Sequence, residues 1–346
     1  IAVVFKMKKI KIMSKVIVLD KRPVGTPTLS DFKFKNEDIV DLKDGDLQIK
    51  SEYVSVDPYL RGRMSDAKSY VPPFELGKPI TSGIVAKVVA SKNKDFQEGD
   101  YISGILDWKE EQIISSEKIK EIRKVDANQA PLSAYLGILG MTGLTAYLGL
   151  TEIGKPKEGE TLLVSGAAGA VGSVVGQIGK ILGLRVVGIA GSDEKINLLK
   201  SEFGYDEGIN YNTIKDMKAA IKEACPNGVD IYFDNVGGEI SDAVLFSINK
   251  FARMIICGAI SVYNETSIPK GVSVQPFLIK NSALMQGFIV SNFQDKFPEA
   301  GQQLGQWLAE NKLTYKETIV DGFDNIPQAF LDLFEGKNKG KMIVKI

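Results

Sequence analysis

The stretch Thr161–Lys180, TLLVSGAAGAVGSVVGQIGK, decides how the rest of the chain is read. Leu162 to Val164 is an uncharged apolar run that fits a buried strand. It breaks into Gly166, Gly169 and Gly172, after which Val175, Ile178 and Ile181 recur at helical spacing. Strand, glycine turn and helix in this order let a pyrophosphate reach the backbone N–H groups that open the helix, because nothing larger than hydrogen or methyl stands in the way. Ala167, Ala168 and Ala170 meet the same condition. With Ala168 where a middle glycine would stand, GAAGAVG taken alone is also compatible with an ordinary tight strand-to-helix turn.

The following segment extends the pattern. Leu184 to Gly191 is a second apolar strand at the distance of a βαβ crossover, and Ser192 is a candidate N-cap for a helix carrying Ile196, Leu198 and Leu199. Selectivity for NADH would call for a carboxylate at this strand end to hold the ribose 2′-hydroxyl, yet the strand runs out as Ala190-Gly191-Ser192 with Lys195 just beyond. Small residues with a nearby cation suit a 2′-phosphate, so NADPH is the expected cofactor. Asp193 and Glu194 lie within reach of a ribose in the same turn, and the plain reading of Lys195 is a solvated helix lysine.

Composition narrows the classes. At 346 residues, 44% hydrophobic and 25% charged, the chain has the core for about two domains. A formal net charge of zero argues against nucleic acid as a partner. Two cysteines, Cys225 and Cys257, make no disulfide framework and point to the cytoplasm. No histidine occurs, so the usual ligand set of a catalytic zinc and the usual base of a hydrolase triad are both missing. The expectation is no metal, with protons handled by tyrosine, lysine, carboxyl groups, cofactor or water.

Along the chain, residues 1–12 read as an extension or expression remnant: the apolar run is too short, and charge comes too late, for a signal peptide. From Val16 to Ile114, short β-runs at Val16–Leu19, Leu47–Val56, Ile84–Val89 and Tyr101–Ile105 suit a small, partly open barrel. Leu132 to Leu150 carries no charge, but its glycines and tyrosines fit helices packed along a domain seam rather than a membrane span. Further strands are expected at Gly208–Asn210, Val229–Asp234, Met254–Gly258 and Ala283–Phe288, and a helix at about Gln303–Glu310. The tail should form an amphipathic helix, a GKNKGK turn and a closing strand Met342–Ile346 that returns to the barrel.

The ordered set VDPYLRGRM (Val56–Met64), GMTGLTAY, SGAAGAVGSVVGQIGK, GSDEK, FDNVGGE, ICGAISVYN, MQGFIV and GKNKGKMIVKI resembles the zinc-independent medium-chain dehydrogenase/reductases. Within them it is similar to the branch of leukotriene/prostaglandin reductases, alkenal double-bond reductases and bacterial curcumin reductases. The resemblance implies an α/β fold, with a doubly wound Rossmann domain over 140–310 and a discontinuous GroES-like β-barrel catalytic domain over 13–139 and 311–346. It implies NADPH-dependent reduction of the C=C bond of α,β-unsaturated ketones and aldehydes in a homodimer; a quinone reductase would share the same cofactor residues, and a non-enzymatic NADPH-binding protein is the further alternative. Carried over by motif, Gly169, Ala170, Val171 and Gly172 hold the pyrophosphate, and Ser192, Lys195 and Tyr211 lie at the 2′-phosphate. Asn235, Cys257, Gly258, Ala259, Ile260, Ser261, Tyr263, Phe288, Ile289, Val290 and Asn338 match further cofactor contacts, although core packing alone accounts for the apolar ones. Tyr53, Tyr70 and Tyr263 fall where substrate-pocket aromatics are expected, with Tyr263 the catalytic candidate.

Overall fold

The computed structural model describes residues 13–346, so the expected N-terminal extension at 1–12 lies outside the described residues. Seven strands come first: β1 (Met13–Leu19), β2 (Phe32–Asp38), β3 (Leu47–Ser55), β4 (Thr81–Ser91), β5 (Tyr101–Asp107), β6 (Glu111–Ile114) and β7 (Ile122–Val125). A short helix, α1 (Leu60–Arg63), follows β3. The sequence reading named β1, β3, β4 and β5 but not the others. Of those missed, FKFKNED in β2 has four of its seven residues charged, and the partner β1 supplies the ladder that propensity does not.

The parallel sheet comprises β8 (Thr161–Ser165), β9 (Arg185–Ala190), β10 (Glu207–Asn210), β11 (Val229–Asp234), β12 (Ile248–Ile256) and β13 (Leu284–Gly287). They lie in the order β10-β9-β8-β11-β12-β13, the 3-2-1-4-5-6 winding of dinucleotide-binding sheets, with every pair parallel. All five residues of β8 are buried, as its lack of charge requires of a strand covered on both faces. α2 (Met141–Leu148), α3 (Gly172–Ile181) and α4 (Asp193–Ser201) precede or cross over within this unit, and a helix at Phe297–Ala309 packs on α2. Leu132–Leu150 thus folds into short helical segments, and among the described residues no helix is long and apolar enough to cross a membrane.

β14 (Glu317–Asp321) and β15 (Lys341–Lys345) carry the chain back to the first unit. β15 pairs antiparallel with β3 and parallel with β14, completing a seven-stranded sheet ordered β14-β15-β3-β4-β5-β7 with β6 on β3. The return of the tail is as expected; β14, with its alternating ETIVD, was not. The first unit's core holds Trp108, Leu47, Ile49, Ile84, Phe330 and Val344. Trp108 is buried and its indole N–H donates to Ser82 Oγ at 2.8 Å. A separate core under the parallel sheet gathers Leu162, Val164, Val175, Ile178, Phe233 and Ile255.

Candidate active site

Three strand ends of the parallel sheet are stitched together by Asp234, the last residue of β11, which is 1% exposed. Its Oδ1 accepts from Ser165 Oγ at 2.8 Å, from Tyr232 OH at 2.9 Å and from the backbone N–H groups of Val236 and Gly237 at 2.9 Å. Its carbonyl accepts from the N–H groups of Cys257 and Gly258 at 2.9 and 3.0 Å. Asn235 closes the same seam, donating through Nδ2 to Ser165 O at 2.8 Å. The ends of β8, β11 and β12 therefore form one rigid rim at the carboxyl edge of the sheet, where such folds take ligands.

Above the rim, Gly166 bends the chain with φ of 58°, and Gly172 starts α3 directly against it. A Cβ on Gly172 would lie 2.4 Å from Gly166 O, so only glycine lets the loop close this tightly. No side chain caps the N-terminus of α3, which leaves its polar end for an anion. The C-terminal segment lies across this loop: Gly340 N–H donates to Ala168 O at 2.7 Å, with a bridge from Gly340 to Gly169.

At the end of β9, Ser192 is the N-cap that the sequence predicted, its Oγ accepting from Lys195 N–H at 3.2 Å. The two carboxylates of the turn are both engaged elsewhere. Asp193 accepts from Asn210 Nδ2 at 2.7 Å, and Glu194 pairs with Lys339. Neither is among the residues lining the cavity described below. The Lys195 ammonium donates to Gly336 O at 2.6 Å, and its pKa is pushed down by burial first and by nearby Lys339 second. Gly191 leaves room for the Tyr211 hydroxyl, which would stand 2.5 Å from a Cβ placed there.

A single cavity of about 1060 Å³ runs from this end to the other unit. Gly169, Ala170, Val171, Gly172, Lys195, Tyr211, Asn235, Cys257, Gly258, Ile260, Ser261, Phe288, Ile289, Val290 and Asn338 all line it, as do Tyr70 and Tyr263. Ser192 and Ala259 stand behind the wall, engaged in the helix cap and in a hydrogen bond to Tyr263. Tyr53 is not among the lining residues: β3 packs it, half-buried, against the patch of Val85, Val125, Leu136 and Ile343. Alternation along the strand put it on that face, which a reading of residue type alone does not reveal.

Tyr263 follows a short turn, Ile260–Val262, beyond β12. Its hydroxyl oxygen accepts from Ala259 N–H at 3.2 Å, leaving the proton to be donated into the cavity. Burial raises its pKa above the ordinary tyrosine value, more than the Ala259 hydrogen bond lowers it. Cys257 lies nearby with its thiol pushed up to about 12 by burial, so it is a protonated wall rather than a nucleophile.

The opposite wall comes from the VDPYLRGRM run, from which the sequence reading drew no site residue: Asp57, Tyr59 and Arg63 line the cavity, with Lys341 beside them. Lys341 and Asp57 form a buried ion pair at 3.2 Å, and the ammonium also donates to Val56 O at 2.9 Å and Met342 O at 2.8 Å. All three of its protons are used, so it pins the turn before α1 to β15. Among the described residues no three Cys, Asp or Glu side chains are grouped so as to hold a metal ion.

Comparison with known proteins agrees with this geometry. Residues 15–122 match the family described as the N-terminal domain of oxidoreductase, and 170–306 the one described as zinc-binding dehydrogenase. A Bacillus subtilis protein described, provisionally, as an NADP-dependent oxidoreductase is 56% identical over 332 residues, covering 95% of this chain and 97% of that one. The NADP(+)-dependent 2-alkenal reductase of Nicotiana tabacum is 42% identical over 340 residues, 97% of this chain and 98% of its own. CurA of Vibrio vulnificus, solved in complex with NADPH, superposes with a TM-score of 0.91 at 42% identity, covering 96% of this chain and 98% of that one. With a doubly wound sheet, a barrel-like partner unit and no histidine to complete a zinc site, the chain belongs to the zinc-independent branch of the medium-chain dehydrogenase/reductase family.

Proposed function

We propose that this chain reduces the C=C bond of α,β-unsaturated ketones and aldehydes, with NADPH as hydride donor. The observation that carries the reading is the continuity of one cavity from the glycine loop and Lys195 to the Tyr263 hydroxyl. The residues present fit a dinucleotide: Gly172, where a Cβ would strike Gly166 O, lets the loop close against α3, α3 offers an uncapped N-terminus, and both carboxylates near Lys195 have other partners. Gly169 to Gly172 would hold the pyrophosphate, Lys195 and Tyr211 the 2′-phosphate, and Asn235, Cys257, Gly258, Ile260, Ser261, Phe288, Ile289, Val290 and Asn338 the remainder. When bound, NADPH supplies a hydride to the β-carbon of the substrate.

Negative charge then develops on the substrate's carbonyl oxygen as an enolate. Tyr263 is placed to donate a hydrogen bond to that oxygen, stronger in the transition state than in the ground state and therefore lowering the barrier, and a proton from water then reaches the α-carbon to give the saturated carbonyl. Tyr59, Tyr70 and Arg63 form the far wall, with Phe288 and Val290 lining the nearer side.

The test is NADPH oxidation against a panel of 2-alkenals, enones, quinones and saturated aldehydes, with products identified by mass spectrometry. Saturated ketones and aldehydes from the enones and enals are expected. Allylic alcohols, or turnover with quinones alone, would overturn the reading.

A homodimer is part of the same proposal. Among the described residues β13 ends the parallel sheet with one edge unpaired, and Leu284 on it and Ile279 before it are 45% and 79% exposed, an edge that a second copy could extend. Light scattering showing a monomer at micromolar concentration would remove it. Two free cysteines fit a reducing, cytoplasmic setting.

A further inference from the structure

The seam between the two units holds a pair of lysines that the reading of NADPH binding uses only in part. Lys195 belongs to α4 on the parallel-sheet unit, whereas Lys339 lies in the turn before β15 on the other. Lys195 reaches Gly336, three residues before Lys339, and Lys339 pairs with Glu194, the neighbour of Lys195, so the two ammonium groups share one patch; burial first and Lys339 second push the Lys195 pKa down. Like charges so placed repel unless an anion lies between or beside them. Here each ammonium is held by an oxygen of the protein instead: Lys195 donates to Gly336 O, and Lys339 pairs with the largely exposed Glu194 carboxylate. Asp193, which accepts from the neutral Asn210 amide, is the second carboxylate of this turn, so the two cations stand against two carboxylates beside the N-terminus of α4, the positive end of a helix dipole.

We propose that Lys339 is a second cation of the 2′-phosphate site, supplied across the seam, and that Glu194 and Gly336 O occupy the two ammonium groups until the phosphate takes their place. This inference rests on the NADPH reading above. Its physical basis is charge balance. A phosphate monoester carries nearly two negative charges and offers three strong acceptor oxygens, more than one lysine can satisfy. A cation from each unit would also make the phosphate a clamp on the cleft, so that NADPH and not NADH draws the two units onto the nucleotide. Glu194 then has a definite role: its carboxylate keeps Lys339 in position in the free protein and disfavours a nucleotide that lacks the phosphate to displace it.

The test measures binding, not turnover. Calorimetry with 2′,5′-ADP and with 5′-AMP, which differ only in the 2′-phosphate, is run on the wild type, Lys195→Ala, Lys339→Ala, Glu194→Gln and the double variant Glu194→Gln/Lys339→Ala. Lys339→Ala should weaken 2′,5′-ADP by roughly 5- to 20-fold and leave 5′-AMP within about twofold, the range for a partly exposed charge-assisted hydrogen bond. The double variant should stay weak. Should it bind 2′,5′-ADP as tightly as the wild type, Lys339 merely neutralises Glu194 and the inference fails, as it does if Lys339→Ala alone has no effect while Lys195→Ala does. A wild type that binds the two ligands equally would instead remove the NADPH reading on which the inference stands. Circular dichroism of each variant separates a binding change from a folding one.

Discussion

The Arg61 guanidinium donates through Nε to Asn264 Oδ1 at 3.0 Å, joining α1 of the first unit to the residue after Tyr263. Arg61 is buried, and its Nη2 also donates to Gly25 O at 2.9 Å. The catalytic candidate thus stands on a segment whose position is set from across the cleft. A lysine keeps the charge but cannot make the planar fork. Arg61→Lys should lower kcat/KM for an enone by about 10-fold and cost about 1–3 kcal/mol of stability, with NADPH affinity unchanged. A drop in Tm with unaltered kinetics would show that the contact serves the fold alone.

For Tyr263→Phe the expected loss falls on kcat and kcat/KM together, on the order of 10- to 1000-fold, because the hydrogen bond to the enolate strengthens in the transition state. NADPH binding followed by fluorescence should hardly move. An unchanged kcat with a raised KM would make the residue a positioning group.

The pH dependence follows from the direction of the same shift. Burial raises the Tyr263 pKa above the ordinary value of 10.0, so the hydroxyl keeps its proton through that pH and activity should show no alkaline limb from it until pH is higher still. The sign for stability is the matching one: the contribution is fully present below the unfolded value and is lost as pH rises through the folded one. A rate profile that falls with an apparent pKa near 7 would point to another hydrogen-bond donor.

Gly340→Ala tests the strap over the glycine loop. The residue has φ of 66°, and a Cβ there would lie 1.9 Å from Lys316 O. Backbone must shift, at a cost on the order of 3 kcal/mol, seen as a fall in Tm of roughly 5–10 °C. Since Gly340 N–H also holds Ala168 O, NADPH affinity should drop as well. A variant with wild-type Tm would contradict the contact.

Metal removal should leave activity intact, because a chain with no histidine and no three-carboxylate or thiolate grouping among the described residues has no ordinary zinc site to empty. Activity lost on exhaustive chelation and restored by zinc would overturn this.

What the sequence determined by itself was local and periodic. The uncharged run of β8, the small residues from Gly166 to Gly172 and the Ser192 cap each follow from a demand met within a few residues, namely burial on both faces, close backbone approach and an orphan N–H at a helix start. The GKNKGK turn and its closing strand were legible for the same reason. Tertiary structure decided which charged groups face one another. Asp193 and Glu194 read as candidates for a ribose, and only the approach of Asn210 and Lys339 shows them engaged. Tyr53 and Tyr263 are the same residue type, yet β3 packs one against a core patch while the turn after β12 sets the other in the cavity. Asp234, Arg61 and the Lys341–Asp57 pair were silent in the sequence because a buried charge has no periodic signature: its partners lie on other strands and loops, and only the fold brings them within hydrogen-bond distance.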